Sequence, residues 1–405
     1  MPKNPNFARK GTIYMKKIFL KSKKDAAVRR FHPWIFSGAL KSLEQPIADG
    51  ELVEVLSSRG EYLATGHYQN GSICVRIISF SQTEANEDFW QQKLRNAFEY
   101  RQKLDLANTH TNAYRLIHAE GDGLPGLIID IYDKVAVMQC HSIGMHKNRA
   151  IIASALQSIY NDQLIAIFDK SKKTLPNQYA LEVANGYSYG KGKPDIIVEN
   201  GLKFFINWEE GQKTGFFLDQ RDNRQLLQKY VKNKRVLNAF SYSGGFSVYA
   251  LAAGAKEVHS VDISEKATAW AEQNIALNFD SSERHQAFSS DVLKFLQAVE
   301  EPYDVLVVDP PAFAKSQAKR HKAVQGYKRL NVMALKKIQP GGILFTFSCS
   351  QVIDAQLFYN TLVAAALESG RQLRLMHRLT QPADHPVNIF HPEGAYLKGL
   401  VFAVE

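Results

Sequence analysis

Cysteine is scarce in this sequence of 405 residues, which contains only Cys74, Cys140 and Cys349, far apart from one another. A disulfide framework needs paired cysteines, and a structural metal site needs closely spaced Cys or His ligands. Three isolated thiols argue against both, because they offer neither an even number nor a ligand spacing. We therefore expect a cytoplasmic protein that holds neither a disulfide framework nor a metal.

Long apolar runs are also missing. No stretch approaches the roughly 20 apolar residues that span a bilayer, and the basic start lacks the apolar segment of a secretory signal. The hydrophobic fraction of 45% is typical of a globular protein. We therefore expect no membrane partner. Because 405 residues exceed one ordinary core, we also expect two or three domains.

Positive charge is abundant and unevenly placed. Residues 1–30 contain ten Lys or Arg and a single acid, Asp25, and residues 312–337 contain eight Lys or Arg and no acid. Such clusters are often solvated faces or terminal tails, but they also neutralise phosphates, so nucleic acid is the favoured partner. The side chains assigned to RNA binding are Lys21, Lys23, Lys24, Arg29, Arg30, Trp34 and Lys315. For Trp34, in the segment His32-Pro-Trp-Ile-Phe36, core packing is preferred over stacking on a base.

The spacing of strand and helix patterns divides the chain into three regions, predicted as 15–82, 83–198 and 199–405. Short strands broken by glycine over residues 18–80 predict a small β-barrel. Next come a helix (86–104), two strands (114–131) around the loop Glu120-Gly-Asp-Gly-Leu-Pro-Gly126, a further strand (135–139) and a helix (147–160). This middle region is predicted to be an α+β domain, with loops over residues 170–178 and 186–195.

The last two hundred residues alternate strands and helices, as in a doubly wound α/β fold. A strand over 235–240 leads into the glycine turn Ser241-Tyr-Ser-Gly-Gly245, and a second strand ends at Asp262. An acid at that place usually accepts hydrogen bonds from ribose hydroxyls. The turn lacks Gly-x-Gly-x-x-Gly, so a nucleoside cofactor without pyrophosphate fits better than a dinucleotide. Asp291, after the next helix, can accept from an adenine amino group.

An acid and a thiol follow two buried strands in the same half. Asp309 ends the run Tyr303-Asp-Val-Leu-Val-Val-Asp309, and Cys349 ends the run from Gly341. If these parallel strands are neighbours, they lie about 4.8 Å apart, and both residues face the crevice at the carboxyl edge. A lone cysteine is more often a buried structural thiol. The polar neighbours Ser348 and Ser350 shift the interpretation toward covalent chemistry on a substrate.

These motifs, in this order, resemble the large-subunit (23S) ribosomal RNA 5-cytosine methyltransferase I family of class I S-adenosylmethionine-dependent enzymes. The resemblance covers all but about fifteen N-terminal residues and extends to Lys213-Thr-Gly-Phe-Phe-Leu-Asp-Gln-Arg221, Asp309-Pro-Pro311, Phe347-Ser-Cys-Ser350, Asp384-His-Pro-Val387 and Tyr396-Leu-Lys-Gly399. It implies an N-terminal PUA-like barrel, a middle α+β domain and a Rossmann-like methyltransferase domain with a seven-stranded sheet. It also implies ribosomal RNA as the partner, with a homodimer as one option for the assembly.

The resemblance also assigns site residues. A β-hairpin over residues 201–217 would lead to Gln220 and Arg221 beside S-adenosyl-L-methionine. Asp309 would lie near the methionine amino group and the target base, and Cys349 would be the nucleophile. The remaining cofactor contacts would be Phe240, Ser241, Tyr242, Ser243, Gly244 and Gly245 at methionine, Asp262 and Ile263 at ribose, and Asp291 and Val292 at adenine.

Several alternatives stay open. A sister group methylates guanine at nitrogen 7 and lacks the cysteine, so Cys349 separates the two reactions. A non-catalytic RNA-binding protein and a nicotinamide dehydrogenase are weaker candidates. Many RNA 5-cytosine methyltransferases carry a second cysteine after the Asp-Pro motif, whereas this sequence reads Asp309-Pro-Pro-Ala-Phe313, which leaves the release step unassigned. The basic cluster over residues 315–337 is expected to favour the Cys349 thiolate.

Overall fold

A computed structural model describes residues 15–405 except 42, 44, 162, 281, 282 and 315. The N-terminal region forms a sheet in the order β1-β3-β4-β5-β2, in which β1 and β3 are parallel and the other pairs antiparallel. A bridge between Leu20 and Leu40 brings the end of β1 to the segment after β2. Its elements are β1 (Lys16–Phe19), α1 (Ala26–Arg29), β2 (Trp34–Phe36), β3 (Leu52–Leu56), β4 (Tyr62–Tyr68) and β5 (Ile73–Ser79).

The middle region is an α+β unit, whose sheet runs in the order β10-β9-β8-β7-β6. Helix α2 begins where the Asn86 side chain accepts the Phe89 N–H, and its buried Trp90 and Leu94 pack in one core with Leu156 of α4. The elements are α2 (Glu87–Lys103), β6 (Ala113–His118), β7 (Leu127–Tyr132), β8 (Val135–Cys140), α3 (Ile143–Lys147), α4 (Arg149–Ile159), β9 (Ala166–Asp169), α5 (Asn177–Ala180) and β10 (Gly186–Gly190). The loop predicted over 186–195 is wrong in its first half, because 186–190 pair with β9.

A hairpin of β11 (Asp195–Glu199) and β12 (Leu202–Ile206) connects the middle region to the C-terminal one. The hairpin expected over 201–217 is therefore displaced toward the N terminus. Asn200 and Gly201 form its turn with φ values of 51° and 80°, and Asn-Gly is the dipeptide that favours a two-residue hairpin turn. The boundary predicted after residue 198 falls inside β11.

The C-terminal region contains a sheet of seven strands within the described residues, in the order β15-β14-β13-β16-β17-β19-β18. All neighbours are parallel except β19, which is antiparallel to both β17 and β18. The elements are α6 (Arg221–Leu227), β13 (Arg235–Ala239), α7 (Gly245–Ala252), β14 (Glu257–Asp262), α8 (Glu265–Ala276), β15 (His285–Ser289), α9 (Val292–Ala298), β16 (Tyr303–Val308), α10 (Arg320–Lys336), β17 (Ile338–Ser348), α11 (Ala355–Ser369), β18 (Leu373–Leu379) and β19 (Lys398–Val404).

The strand order reverses beside β13, which has β14 on one side and β16 on the other. Open α/β sheets bind their ligands outside the carboxyl ends of the strands at such a switch point. Strands β16 and β17 are neighbours, with Val308 opposite Thr346, so the condition for bringing Asp309 and Cys349 to one edge is met. Among the described residues, no helix combines the length and apolar character needed to cross a bilayer.

A buried ion-pair cluster joins the middle and C-terminal regions around Asp384, whose side chain is 0% exposed. Its carboxylate accepts from the Arg115 backbone N–H at 2.9 Å and from the Arg221 guanidinium at 3.1 Å, and its backbone carbonyl accepts from Arg101 at 2.7 Å. Burial acts to raise the pKa of Asp384, but His385 and Arg221 hold that pKa well below its usual range. The carboxylate is therefore ionised and binds elements of both regions.

Candidate active site

A cavity of about 800 Å³ lies at the carboxyl edge of the C-terminal sheet. Each strand around the switch point contributes the residues that follow it, so most of the predicted site residues come together here. Those in the wall are Gln220 before α6, Phe240, Ser241, Tyr242, Ser243 and Gly245 after β13, Asp262 at the end of β14 and Ile263 after it, Asp291 and Val292 after β15, Asp309 after β16 and Cys349 after β17.

The glycine turn after β13 has an unusual backbone. Phe240 and Tyr242 have φ values of 61° and 45°, and Gly244 has a φ of 77° at the start of α7. A Cβ on Gly244 would lie 2.9 Å from the Cβ of Ala271, so both conformation and packing require glycine there. The buried hydroxyls of Ser241 and Ser243 have no hydrogen-bond partner within the described part of the chain. They are available to a ligand in the cavity.

The acid that ends β14 and the acid that follows β15 are hydrogen-bonded by backbone amides. Asp262 accepts the N–H groups of Tyr242 and Ser264, both at 3.0 Å, and Asp291 accepts the Lys294 N–H at 3.0 Å as the cap of α9. Ile263 is 74% exposed and presents an apolar surface beside Asp262. Fixed carboxylate acceptors beside apolar side chains fit the ribose and purine of a nucleoside cofactor.

Asp309 is hydrogen-bonded in the cavity by the predicted residue Gln220, whose Nε2 donates to Asp309 Oδ2 at 3.0 Å. Burial, together with the charge of Asp219, raises the pKa of Asp309 to about 7. This carboxyl group can therefore both accept and donate a proton near neutral pH, which is the property that general acid–base catalysis requires.

Cys349 is partly buried, and burial followed by the charges of Asp309 and Asp219 raises the pKa of its thiol to about 11. The cations that oppose this rise are Lys213 and Lys398. The described residues give no support to the expectation that the cluster over 315–337 favours the thiolate, because the cations named here lie outside that cluster. Lys315 itself lies outside the described residues.

Polar side chains from distant parts of the chain also lie at or beside the cavity, and none of them is among the predicted site residues. Asp219 lines the cavity and accepts from the Tyr396 hydroxyl at 2.7 Å. The Lys398 ammonium donates to the carbonyls of Ser350 and Tyr396 at 2.7 and 2.6 Å, and burial lowers its pKa to about 8. The motifs 213–221 and 396–399 contain these residues, but only the fold shows that they meet.

Two predicted cofactor contacts do not line the cavity. Gly244 packs against Ala271 of α8. Arg221 is buried in the ion-pair cluster, where its guanidinium lies 3.1 Å from Asp384 and 3.6 Å from Glu199. Its position supports α6 and the middle region more directly than it supports a bound ligand.

Five of the predicted RNA-binding residues are cations of the N-terminal region. Lys21, Lys23, Lys24, Arg29 and Arg30 are all exposed. Arg29 is paired with Asp25 at 2.7 Å and with Glu61. Trp34 is partly buried, donates to Glu120 at 2.9 Å and packs on His391 with ring centroids 4.3 Å apart. This contact joins three regions of the chain and agrees with the packing interpretation.

Comparison with solved structures shows the same fold. A Streptococcus mutans chain assigned to the SAM-dependent methyltransferases superimposes with a TM-score of 0.83 at 22% identity, over 96% of this chain and 100% of that one. A second structure, of a chain assigned as a methyltransferase and crystallised with SAH, superimposes with a TM-score of 0.84 at 22% identity and the same coverage.

Comparison with curated proteins and family models gives closer matches. Residues 166–403 match the S-adenosylmethionine-dependent methyltransferase model, and residues 18–80 match the PUA-like domain model. The chain is 40% identical to ribosomal RNA large subunit methyltransferase I of Aeromonas salmonicida over 391 residues, covering 95% of this chain and 98% of the relative. The relative of the same name from Vibrio parahaemolyticus is 40% identical over 395 residues, with coverages of 96% and 99%. S-Adenosylmethionine is the cofactor, and the chain belongs to the ribosomal RNA large subunit methyltransferase I family.

Proposed function

We propose that this protein transfers a methyl group from S-adenosylmethionine to carbon 5 of a cytosine in large-subunit (23S) ribosomal RNA, in the cytoplasm. The main support for this proposal is that Cys349 and Asp309 line one cavity. They lie at the ends of adjacent strands, and the glycine turn after β13 lines the same cavity. A methyltransferase that acts on a ring nitrogen needs no nucleophile, because the nitrogen lone pair attacks the methyl group directly.

Carbon 5 of cytosine is a poor nucleophile and must be activated by the protein. Addition of the Cys349 thiolate to carbon 6 makes the ring enamine-like, so that carbon 5 becomes nucleophilic. The ionised Asp309 accepts the thiol proton and then donates it to ring nitrogen 3, where negative charge develops. The pKa of Asp309, about 7, suits a group that is ionised before attack and protonated afterwards.

The cofactor residues have separate tasks. When bound, S-adenosylmethionine supplies an electrophilic methyl group. Asp262 would hold the ribose hydroxyls, Asp291 and Val292 would contact adenine, and the Ser241 and Ser243 hydroxyls would face the methionine part. The backbone amides that bind Asp262 fix its orientation before the ligand arrives.

RNA as the substrate is supported by the names of the relatives and by the exposed cations of the PUA-like region. Those cations lie in the domain at residues 18–80, so phosphate contacts there would anchor the RNA while the target base enters the cavity. We propose three domains, over residues 15–82, 83–198 and 199–405, with the second boundary lying within the hairpin of β11 and β12 that connects the last two.

Methyl transfer from labelled S-adenosylmethionine to an unmodified large-subunit RNA transcript tests this function. We expect 5-methylcytidine in the nucleoside digest, and a stable covalent adduct with RNA that contains 5-fluorocytidine, because fluorine cannot leave as a proton does. Cys349→Ala should lose transfer almost entirely and keep its cofactor affinity, whereas Cys74→Ala and Cys140→Ala, which alter thiols outside the cavity wall, should still form the adduct. The appearance of 7-methylguanosine alone, or wild-type transfer by Cys349→Ala, would contradict the proposal.

A further inference from the structure

Asp219 has one occupied and one free carboxylate oxygen. It lies in the short 3-10 turn Leu218–Gln220 and lines the cavity that contains Cys349. Its Oδ2 accepts from the Tyr396 hydroxyl at 2.7 Å, but its buried Oδ1 has no hydrogen-bond partner among the residues that the structure describes. By contrast, both oxygens of Asp262 accept backbone N–H groups. A buried oxygen without a partner is costly, and such atoms are found where a ligand group or a proton arrives.

The surroundings of Asp219 place it beside the reacting groups. After burial, its charge is among the causes that raise the pKa of Asp309 to about 7 and that of Cys349 to about 11. The adjacent residue, Gln220, holds Asp309 by a hydrogen bond of 3.0 Å. Burial and the charge of Asp219 raise the pKa of Tyr396 well above its ordinary value. The phenol therefore stays a donor to Oδ2, and Oδ1 is the oxygen left for a proton.

The proposed reaction requires a base at a late stage. Once carbon 5 carries the new methyl group, it also still carries its proton, and the ring cannot regain its double bond until that proton leaves. Asp309 is ionised at this stage, but it must take back the proton from nitrogen 3 as the thiolate leaves, and one carboxylate does not hold both protons. The position after Asp309-Pro-Pro311 carries no second thiol. A separate group facing the same base is needed.

We propose that Asp219 is the catalytic base that removes the proton from carbon 5 of the methylated adduct, an inference that rests on the proposed function. The carbon 5–hydrogen bond breaks and its proton goes to Asp219 Oδ1. The electron pair forms the double bond between carbons 5 and 6, the carbon 6–sulfur bond breaks, and Cys349 leaves as a thiolate. The nitrogen 3 proton returns to Asp309, and Asp219 releases its proton to water. Tyr396 is a positioning residue, because it fixes the carboxylate without contacting the base.

The test is single-turnover methylation by the full chain carrying Asp219→Asn, with labelled S-adenosylmethionine and an unmodified large-subunit RNA transcript. We expect an RNA–protein adduct that carries the label and survives denaturing electrophoresis, with product release slowed by about 10²–10⁴-fold, the usual contribution of a positioned base. Cofactor affinity should be unchanged. Asp222→Asn is the matched control, because it removes the same charge from an exposed neighbouring position outside the cavity wall.

Adduct formation with 5-fluorocytidine RNA separates the two proposals, because it needs no proton removal. Failure of the wild-type protein to form this adduct would overturn the proposed function. A normal wild-type adduct together with wild-type release by Asp219→Asn would overturn the role of Asp219 alone. Loss of cofactor binding or of the fluorinated adduct in Asp219→Asn would also overturn it, because the carboxylate would then act before proton removal.

A second variant keeps the test decisive if Asp219→Asn does not fold. Tyr396→Phe preserves the carboxylate and removes only the hydrogen bond that orients it. We expect slower product release and partial accumulation of the labelled adduct, with the rate of adduct formation and the cofactor affinity unchanged. A purely structural role of Tyr396 would slow both stages together, and unchanged release would contradict the proposal.

Discussion

At the scale of single residues, the raised pKa of Asp309 makes the stability of the protein depend on pH. Burial and Asp219 raise the pKa of this carboxyl group from 3.8 to about 7. Between these two values the folded protein holds a proton that the unfolded chain releases. The free energy of unfolding contributed by this group therefore falls as the pH rises from about 4 to about 7, and it stays low above that.

Asp309→Asn should therefore stabilise the protein at pH 8 and leave its stability at pH 4 nearly unchanged. Each unit of pKa shift corresponds to about 1.4 kcal/mol, so the gain at pH 8 is on the order of a few kcal/mol. The amide oxygen of Asn can still accept from Gln220. Urea unfolding at both pH values measures the effect. Asp280→Asn, at an exposed position, serves as the control, and an equal gain from Asp309→Asn at both pH values would contradict the assignment.

The sequence predicts the cavity residues at the ends of strands, but it does not predict those in irregular segments. Asp262 ends a buried strand, Asp309 and Cys349 each follow one, and parallel strands bring such positions to one edge. Asp219 and Tyr396 lie in segments without a periodic pattern, and their hydrogen bond joins positions 177 residues apart. No local signal marks a contact of that kind.

At the scale of secondary-structure elements, the exposed cations around α1 differ in how freely they can reach phosphates. Lys21, Lys23 and Lys24 lie in the exposed segment before the helix, whereas the Arg29 guanidinium already contacts the carboxylates of Asp25 and Glu61. Pairing with protein acids competes with phosphate binding. The lysines should therefore contribute more to RNA binding than Arg29.

Replacing Lys21, Lys23 and Lys24 by Gln should weaken RNA binding and reduce the slope of log affinity against log salt by about 0.7–0.9 for each phosphate that the protein no longer neutralises. Arg29→Gln should change the slope less. RNA titrations at several salt concentrations measure both, and calorimetry should show unchanged cofactor affinity in every variant. An unaltered slope in the triple variant would mean that these lysines only solvate the surface.

Secondary structure was more predictable than the connections between elements. The helix and strands from residue 86 to residue 140 and the alternating pattern after residue 235 lie close to their predicted bounds, because each buries a regular apolar face. The connecting hairpin lies earlier in the chain than the expected range of 201–217, because its turn forms at Asn200-Gly201. Strand β10 differs from the predicted loop, because Gly186 and Gly190 disfavour a strand locally but pairing with β9 overrides that preference.

At the scale of the whole molecule, the Asp384 cluster makes the middle and C-terminal regions depend on each other. Asp384→Asn should lower the free energy of unfolding by about 3–5 kcal/mol, because it leaves the buried Arg221 without its nearer charge partner. Arg374→Gln, which breaks an exposed ion pair with Glu405, should cost less than about 1 kcal/mol. Urea unfolding followed by circular dichroism and by tryptophan fluorescence should give coincident transitions, and separate transitions would contradict the coupling.

Because β9 is an inner strand of the middle sheet, the residues that match the methyltransferase family are not a self-contained fragment for expression. The match to the methyltransferase family begins at residue 166, where β9 itself begins. In the fold, β9 lies between β8 and β10 of the middle sheet. A fragment that starts there would lack β8 and expose the edge of β9, and exposed strand edges promote aggregation. It would also remove Arg101 and Arg115 from Asp384. Exchange of catalytic parts between relatives should therefore move the middle and C-terminal regions as one piece.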